Sequence, residues 1–200
     1  IMRKIIAALI VSLDGYIEGP NGEIDWIDSW EDPSDITGQI DTCILGANMY
    51  PGYEQYWTAV HSAPGEPLPF SGKAATQGEV DYARFAMQTP HVVLSNNLQT
   101  ATWPHTRIVR NLGAVATLKQ QGGKDIHAVG GAALVSSLIN AGLVDELRLV
   151  VVPILLGAGK PLFQGLLARH ALHLVSATVL PHGHTKLVYT LSPASSPSAG

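Results

Sequence analysis

Apolar positions along this chain follow two patterns, and their alternation sets the first expectation. Lys4 to Leu13 is an almost unbroken apolar run with Ile5, Ile6, Ile10 and Val11, as expected of a strand buried on both faces of a parallel sheet. Shorter runs at Thr42–Leu45, His91–Leu94, Thr106–Val109 and Ile126–Val129 read the same way. Between them the spacing turns helical. Val80, Phe85 and Met87 mark a helix within Gln77–Met87, and Leu112–Gln121 forms another that stops at Gly122-Gly123. Leu134, Leu138 and Ile139 share one helical face, with Gly142 as a stop just past its end. Ala47–Trp57 begins a helix or turn interrupted at Pro51-Gly52. Asp32-Pro33 has the form of a helix start, Asp as N-cap and Pro in the first turn, for a short helix running to about Asp41.

The last third reads differently. Glu146–Leu156 is rich in Val and Leu, with Pro153 near its end, and predicts a long or bulged strand. Leu172–Leu180 and Thr185–Leu191 are strands joined around Pro181-His182-Gly183-His184. The whole is an α/β fold: a mostly parallel central sheet, antiparallel at its C-terminal strands, with helices on both faces. No repeat or linker divides it, so 1–191 is expected to be one domain. The Ser-, Pro- and Ala-rich stretch 192–200 is expected to be a disordered tail.

Composition narrows the function. A hydrophobic content of 46% against 14% charged residues describes a chain that packs a core. The net charge of −4 and the lack of a basic cluster give no footprint for nucleic acid. The single cysteine, Cys43, excludes an intrachain disulfide and, among apolar neighbours, reads as a buried thiol. Ile5–Leu13 is too short to cross a bilayer. No signal peptide is visible, so a soluble cytoplasmic protein is the expectation.

In open parallel sheets, ligands sit beyond the carboxyl ends of the strands. Four loops follow strands there, after Leu13, Leu45, Leu94 and Val129. The last carries Gly130-Gly131 directly before a helix. Bare backbone at a helix N-terminus leaves N–H groups without partners in a dipole that favours negative charge, so a phosphate or pyrophosphate is the usual guest. The competing reading is a tight strand-to-helix turn that needs glycine for its dihedrals.

Several segments together resemble the dihydrofolate reductase fold. The closer resemblance is to the branch holding the C-terminal reductase domain of the riboflavin-biosynthesis deaminase-reductase and its free-standing bacterial relatives. The segments are Ser12-Leu13-Asp14-Gly15-Tyr16-Ile17, Asp41 to Gly46, Val92 to Leu98, and Val129-Gly130-Gly131. More specific as a pair are Gly142-Leu143-Val144-Asp145-Glu146-Leu147 and Pro153-Ile154-Leu155-Leu156-Gly157-Ala158-Gly159-Lys160-Pro161-Leu162-Phe163.

The resemblance implies a pyridine-nucleotide-dependent reductase, normally using NADPH and acting on a small molecule. It implies that Val129, Gly130, Gly131, Ala132 and Leu134 meet the pyrophosphate side. Ala8, Leu9 and Ile17 would frame the nicotinamide, Gly46, Ala47 and Asn48 would meet phosphates, and Ser95, Asn96 and Asn97 would lie along the adenosine ribose. Members of this branch are often homodimers through the sheet edge. Two positions depart from it. The family commonly places Arg after the glycine matched by Gly46 and Thr or Ser two residues beyond that Arg, where this chain has Ala47 and Met49. It often places Arg after the serine matched by Ser95, where this chain has Asn96. Arginine suits a 2′-phosphate because its fork bonds two oxygens at once. Each lost charged contact is worth roughly 1.5–3 kcal/mol, so NADH as well as NADPH stays open, with Lys73 or Arg110 as candidate replacements.

Reducing a C=N bond also requires a proton at nitrogen. Trp30-Glu31-Asp32-Pro33-Ser34-Asp35 has the Trp-x-x-Pro-x-acid form of dihydrofolate reductases, which makes Asp35 the candidate proton donor or substrate anchor. The competing reading is an exposed first-turn acid that favours the helix dipole. Trp30, Tyr50, Tyr53 and Trp57, with Tyr56, form an aromatic set that walls a substrate pocket or packs a core. His127 reads as a satisfied core histidine, and His182 and His184 as exposed turn residues; no metal site is expected. The expected activity is hydride transfer from NAD(P)H to a small heterocycle or a C=N or C=O group. The alternative is a ligand-binding protein on this fold that has lost its cofactor.

Overall fold

The computed structural model describes residues 2–191, so the expected tail 192–200 lies outside the described residues. Ten strands and four α-helices follow in chain order. They are β1 (Ile5–Ser12), β2 (Tyr16–Glu18), β3 (Ile40–Gly46), α1 (Tyr50–Ser62), α2 (Gln77–Gln88), β4 (His91–Leu94), β5 (Thr106–Val109), α3 (Leu112–Gln120), β6 (Asp125–Gly130), α4 (Ala132–Asn140), β7 (Glu146–Val152), β8 (Lys160–Pro161), β9 (Leu172–Val179) and β10 (Thr185–Leu191). Eight of the strands make one sheet in the order β5-β4-β3-β6-β1-β7-β10-β9.

Strand β1 lies inside this sheet because its residues are apolar on both faces. It pairs in parallel with β6 through Ile6 and His127, and with β7 through Ile6 and Glu146. β10 then runs antiparallel to β7, and β9 antiparallel to β10. One face buries Ile5, Ala7, Leu9, Ile44, Ile126 and Ala128 against Val115 and Leu118 of α3 and Leu134, Val135 and Leu138 of α4. The other face packs Leu45 and Val93 against the aromatic residues of α1 and Tyr82 of α2. There Ile6, Ala8 and Cys43 meet Ile36 of the connection before β3 and Ile40 at the start of β3. Burial at Cys43 pushes its thiol pKa up, so it stays protonated and inert.

Three local expectations change. No helix forms between Asp32 and Asp41. The Asp32 carboxylate instead accepts the N–H groups of Ile36 and Thr37, each at 2.8 Å, and this side-chain capping holds a turn where a helix would need backbone carbonyls. Pro51 does not interrupt α1; it occupies the first turn, where its missing N–H costs nothing. β7 ends at Val152, one residue before Pro153, and the chain beyond it returns as β8, antiparallel to β2.

That small β2–β8 sheet is fastened from the first turn. Ser12 Oγ donates to Asp14, and the Asp14 carboxylate accepts N–H groups from Leu156 and Gly157. The backbone N–H of Gly157 and its neighbours holds that carboxyl below its ordinary pKa. At Gly159, φ is +144° and an added Cβ would lie 2.1 Å from the Glu18 carbonyl oxygen, so only glycine lets the two strands approach.

Candidate active site

The carboxyl ends of β3, β4 and β6 lie side by side: Gly46 is in register with Leu94, and Leu45 with Gly130. Above them opens a cleft of about 690 Å³. Its lining falls into two groups by the elements that supply it.

The first group comes from strand ends and the helix they feed: Leu9, Ile17, Gly46 to Met49, Leu94, Gly130 to Leu134, Ser137, Lys160 and Gln164. Gly131 is the N-cap of α4 and has no side chain to satisfy the helix. The N–H groups of the first turn therefore remain available. A Cβ built on Gly131 meets nothing within 4 Å, whereas one on Gly46 would meet Leu134 Cβ at 3.4 Å and Gly131 N at 3.6 Å. Gly46 lets β3 close against the turn, and Gly131 keeps the space in front of it clear. Gly130 has φ +132° and would press a side chain against Met49 and Leu9, so its role is conformational.

The second group is aromatic and acidic: Trp30 to Ser34 and Ile36 from the connection before β3, Gly52, Tyr53, Tyr56 and Trp57 from α1, then Phe70, Tyr82, His127 and Val129. Most of the rings pack in tilted or edge-on pairs, among them Trp57–Tyr82 with centroids 4.5 Å apart and Tyr56–Trp57 at 5.0 Å, while Phe70 stacks on Tyr56 at 6.4 Å. Behind them runs a chain of hydrogen bonds. His91 Nδ1 lies 2.7 Å from the Thr89 carbonyl and must donate to it. Its Nε2 is then the acceptor for the Tyr53 hydroxyl at 3.1 Å, and the Tyr53 oxygen takes the Tyr82 hydroxyl at 3.3 Å. Tyr56 donates at 2.7 Å to Glu79, a buried carboxylate that also accepts the N–H groups of Trp30 and Thr76. Burial lowers the pKa of both His91 and His127 to about 4, so both rings are neutral near pH 7.

Residues 3–185 match the RibD C-terminal domain. The chain belongs to that family. Among curated proteins, the chain is similar to two from Bacillus subtilis, both called uncharacterized. YyaP is 35% identical over 94% of each chain. YwjB is 32% identical over 82% of this chain and 84% of its own. Among solved structures, a putative riboflavin biosynthesis protein from Shewanella sp. PV-4 superposes with a TM-score of 0.69 at 20% identity, covering 94% of this chain and 99% of that one. Dihydrofolate reductase from Enterococcus faecalis, complexed with NADP(H), superposes with a TM-score of 0.57 at 15% identity, covering 96% and 99%. The RibD domain here thus has the dihydrofolate-reductase-like fold, the architecture expected from the sequence.

Within this RibD domain, Ala8, Leu9, Ile17, Gly46, Ala47, Asn48, Val129, Gly130, Gly131, Ala132 and Leu134 all line the cleft, as do Trp30, Tyr53 and Trp57. Tyr50 does not. It is buried beneath, where its hydroxyl oxygen accepts the N–H groups of Thr102 and Trp103 at 3.0 Å each. Ser95, Asn96 and Asn97 follow β4 on the same sheet edge but outside the cleft lining. Ser95 Oγ accepts the Asn97 and Leu98 N–H groups. Asp35 is exposed at φ +53° and also stands outside the lining, because the helix meant to turn it inward is a pair of turns. Asp32 lines the cleft in its place.

His127 is half what its alternating position implies. Nε2 donates to the Ala8 carbonyl at 3.3 Å, but Nδ1 is buried without a partner among the described residues. Met49, Phe70, Tyr82, Lys160 and Gln164 also line the cleft and were not expected there from the sequence. Tyr82 could have been found from its place on the α2 face that buries Ala83 and Ala86. Phe70 follows a Pro- and Gly-rich stretch and gave no signal. No group of three or more His, Cys, Asp or Glu side chains among the described residues is placed to hold a metal ion. No helix among them is long and apolar enough to cross a membrane.

Proposed function

We propose that this RibD-family domain is an NADPH-dependent reductase of a small planar substrate. The observation that carries the reading is the α4 N-terminus, uncapped and with open space at Gly131, in one continuous cleft with an aromatic slot. These residues fit a nicotinamide dinucleotide. The free N–H groups of the first turn of α4 would hold its pyrophosphate, and Ala8, Leu9 and Ile17 would give the nicotinamide an apolar wall. Bound there, the cofactor supplies a hydride. The protein's own task is to stack the substrate between Trp30, Tyr53 and Trp57, exclude water, and hold its polar edge. Asp32 takes the substrate-anchoring role expected of Asp35, because its carboxylate lines the slot and is fixed there by two backbone N–H groups.

Cofactor choice turns on Arg110. Ala47 and Asn96 supply no cation, and Lys73 is an exposed residue outside the lining. Arg110 follows β5, and its Nη1 donates to the carbonyls of Ser95 at 2.9 Å and Leu98 at 2.7 Å. This guanidinium is held on the loop assigned to the adenosine ribose, where it replaces the missing arginine as partner of a 2′-phosphate. Tryptophan-fluorescence titration of the protein should saturate with NADPH at lower concentration than with NADH. Arg110→Gln should weaken NADPH by roughly tenfold or more and leave NADH unchanged. Saturation by neither nucleotide up to millimolar concentration would end the reductase reading in favour of a ligand-binding protein.

The homodimer expectation also carries forward. Strand β9 is exposed along all eight residues at the sheet edge, with Leu172, Leu174, Val175 and Val179 in water. An apolar edge strand left open is a pairing liability, which a second copy would cover. Size-exclusion chromatography with light scattering should give twice the chain mass, and Val175→Lys should return the monomer.

A further inference from the structure

The aromatic half of the cleft has a hydrogen-bonding polarity that can be read from its own bonds. Tyr82 spends its hydroxyl proton on Tyr53, because Tyr53 must give its own to His91 and His91 must give Nδ1–H to Thr89. Tyr56 spends its proton on Glu79. Both hydroxyls therefore keep only lone pairs for a ligand. His127 donates through Nε2 to Ala8, which fixes the tautomer and leaves Nδ1 as an unpartnered acceptor in a residue only 6% exposed. Asp32 and Glu31 add two carboxylates. The uncommitted side-chain donors of this half are the neutral indole N–H groups of Trp30 and Trp57 and the Ser34 hydroxyl, which can equally accept.

Cations are absent from the same region. Lys160 is the cationic side chain of the cleft among the described residues, and it pairs with Glu18 at 3.3 Å. Arg148 lies behind the connection before β3, outside the cleft lining, and each of its three guanidinium nitrogens is engaged. It donates to Glu146 at 2.6 Å, to the Ser34 carbonyl at 3.1 Å and to Gln39 at 2.8 Å. A buried acceptor with no donor is costly and gains most from a ligand that supplies one, whereas an anion beside two carboxylates would be repelled.

We infer that this half of the cleft takes a flat heterocycle that buries amino or ring N–H donors and carries no anionic group, with His127 and Asp32 as its specificity-determining acceptors. The inference rests on the reductase reading only for the identity of this half as the substrate site. It places the substrate in the class of unphosphorylated amino-heterocycles and excludes a ribosyl phosphate from the slot.

Calorimetric titration with three probes tests it: 2-aminoquinazoline, quinazoline, and a quinazoline carboxylate. The amino compound should bind at least about tenfold more tightly than the parent, and the carboxylate should not bind at millimolar concentration. His127→Leu should shrink the amino-over-parent preference to roughly threefold or less. Asp32→Asn, which keeps the volume, should relax the rejection of the carboxylate. Should His127→Leu fail to fold, the ranking in the unaltered protein and in Asp32→Asn still decides. Equal binding of parent and amino compound, or tighter binding of the carboxylate, overturns the inference. A parallel NADPH titration separates the two readings. The probe ranking without NADPH binding would remove the reductase and leave the donor-selective slot. NADPH binding without the ranking would do the reverse.

Discussion

Gly131→Asp is expected to abolish NADPH binding while leaving the fold as stable as before, or more so. The two effects have opposite signs because one side chain meets two different things. Gly131 sits at φ −84° and ψ −161°, an extended conformation open to any residue, at the N-cap of α4. A Cβ there touches nothing within 4 Å. Aspartate is among the best N-caps, since its carboxylate accepts a first-turn N–H and opposes the helix dipole; the gain over an uncapped start is up to about 1 kcal/mol. That same carboxylate occupies the N–H groups and the space assigned to the pyrophosphate, and it sets a negative charge against a negative ligand. NADPH affinity should fall at least about a hundredfold, or about 2.7 kcal/mol. Urea unfolding and fluorescence titration of the same preparation read the two effects. Gly130→Ala makes the contrast. With φ at +132° and Met49 Sδ 3.3 Å from the new Cβ, it should lose about 1–3 kcal/mol of stability. A Gly131→Asp protein that binds NADPH like the parent would show that the α4 N-terminus is not the pyrophosphate site.

The centre of the sheet was legible from the sequence because β1, β3 and β6 are buried on both faces, and a short apolar run bounded by glycine or a turn pair fits little besides a buried strand. The glycines at the strand ends of the cleft were legible for a related reason. Gly46 and Gly130-Gly131 are backbone features, placed by strand ends that register brings together, so chain order alone located them. The aromatic half of the cleft depends on side chains whose direction is set by contacts far away in sequence. Trp30-Glu31-Asp32-Pro33-Ser34-Asp35 made Asp35 the candidate acid, yet Asp32 lines the cleft and Asp35 stands outside it. The Ile36 and Thr37 N–H groups that Asp32 captures set that placement, a local competition between side chain and helix that periodicity does not register. Tyr50 and Tyr53 lie one helical turn apart, yet one turns to Thr102 and Trp103 and the other to His91. Neither Trp103 nor His91 is near them in the chain.

His91 and His127 should make the protein acid-sensitive well above the range where carboxylates titrate. Burial disfavours the charged ring in both, and the two lie close enough that protonating His127 further opposes a charge on His91. Both have a pKa of about 4 in the folded chain against 6.5 for a free ring. Above pH 6.5 both states are neutral at these positions and the stability is complete. As pH falls below 6.5 the unfolded chain takes up protons that the native chain refuses, so stability declines, and the decline continues until the native rings protonate near pH 4. Each histidine accounts for about 1.4 kcal/mol per pH unit across that window, about 3 kcal/mol in total. The pair thus removes about 6 kcal/mol, comparable with the whole stability of many domains of 5–15 kcal/mol. Urea unfolding at pH 7.5, 6.5, 5.5 and 4.5 should show this slope, and His91→Gln should remove about half of it, because an amide can still donate to Thr89 and accept from Tyr53. A flat profile between pH 7.5 and 5 would mean that the rings are hydrated or paired in the native state, and the fixed hydroxyl directions of Tyr53 and Tyr82 would fall with it. A neutral His91 is what takes the Tyr53 hydroxyl proton and so leaves Tyr53 to accept from Tyr82, so the acid stability of the fold and the direction of this hydroxyl chain depend on the same proton.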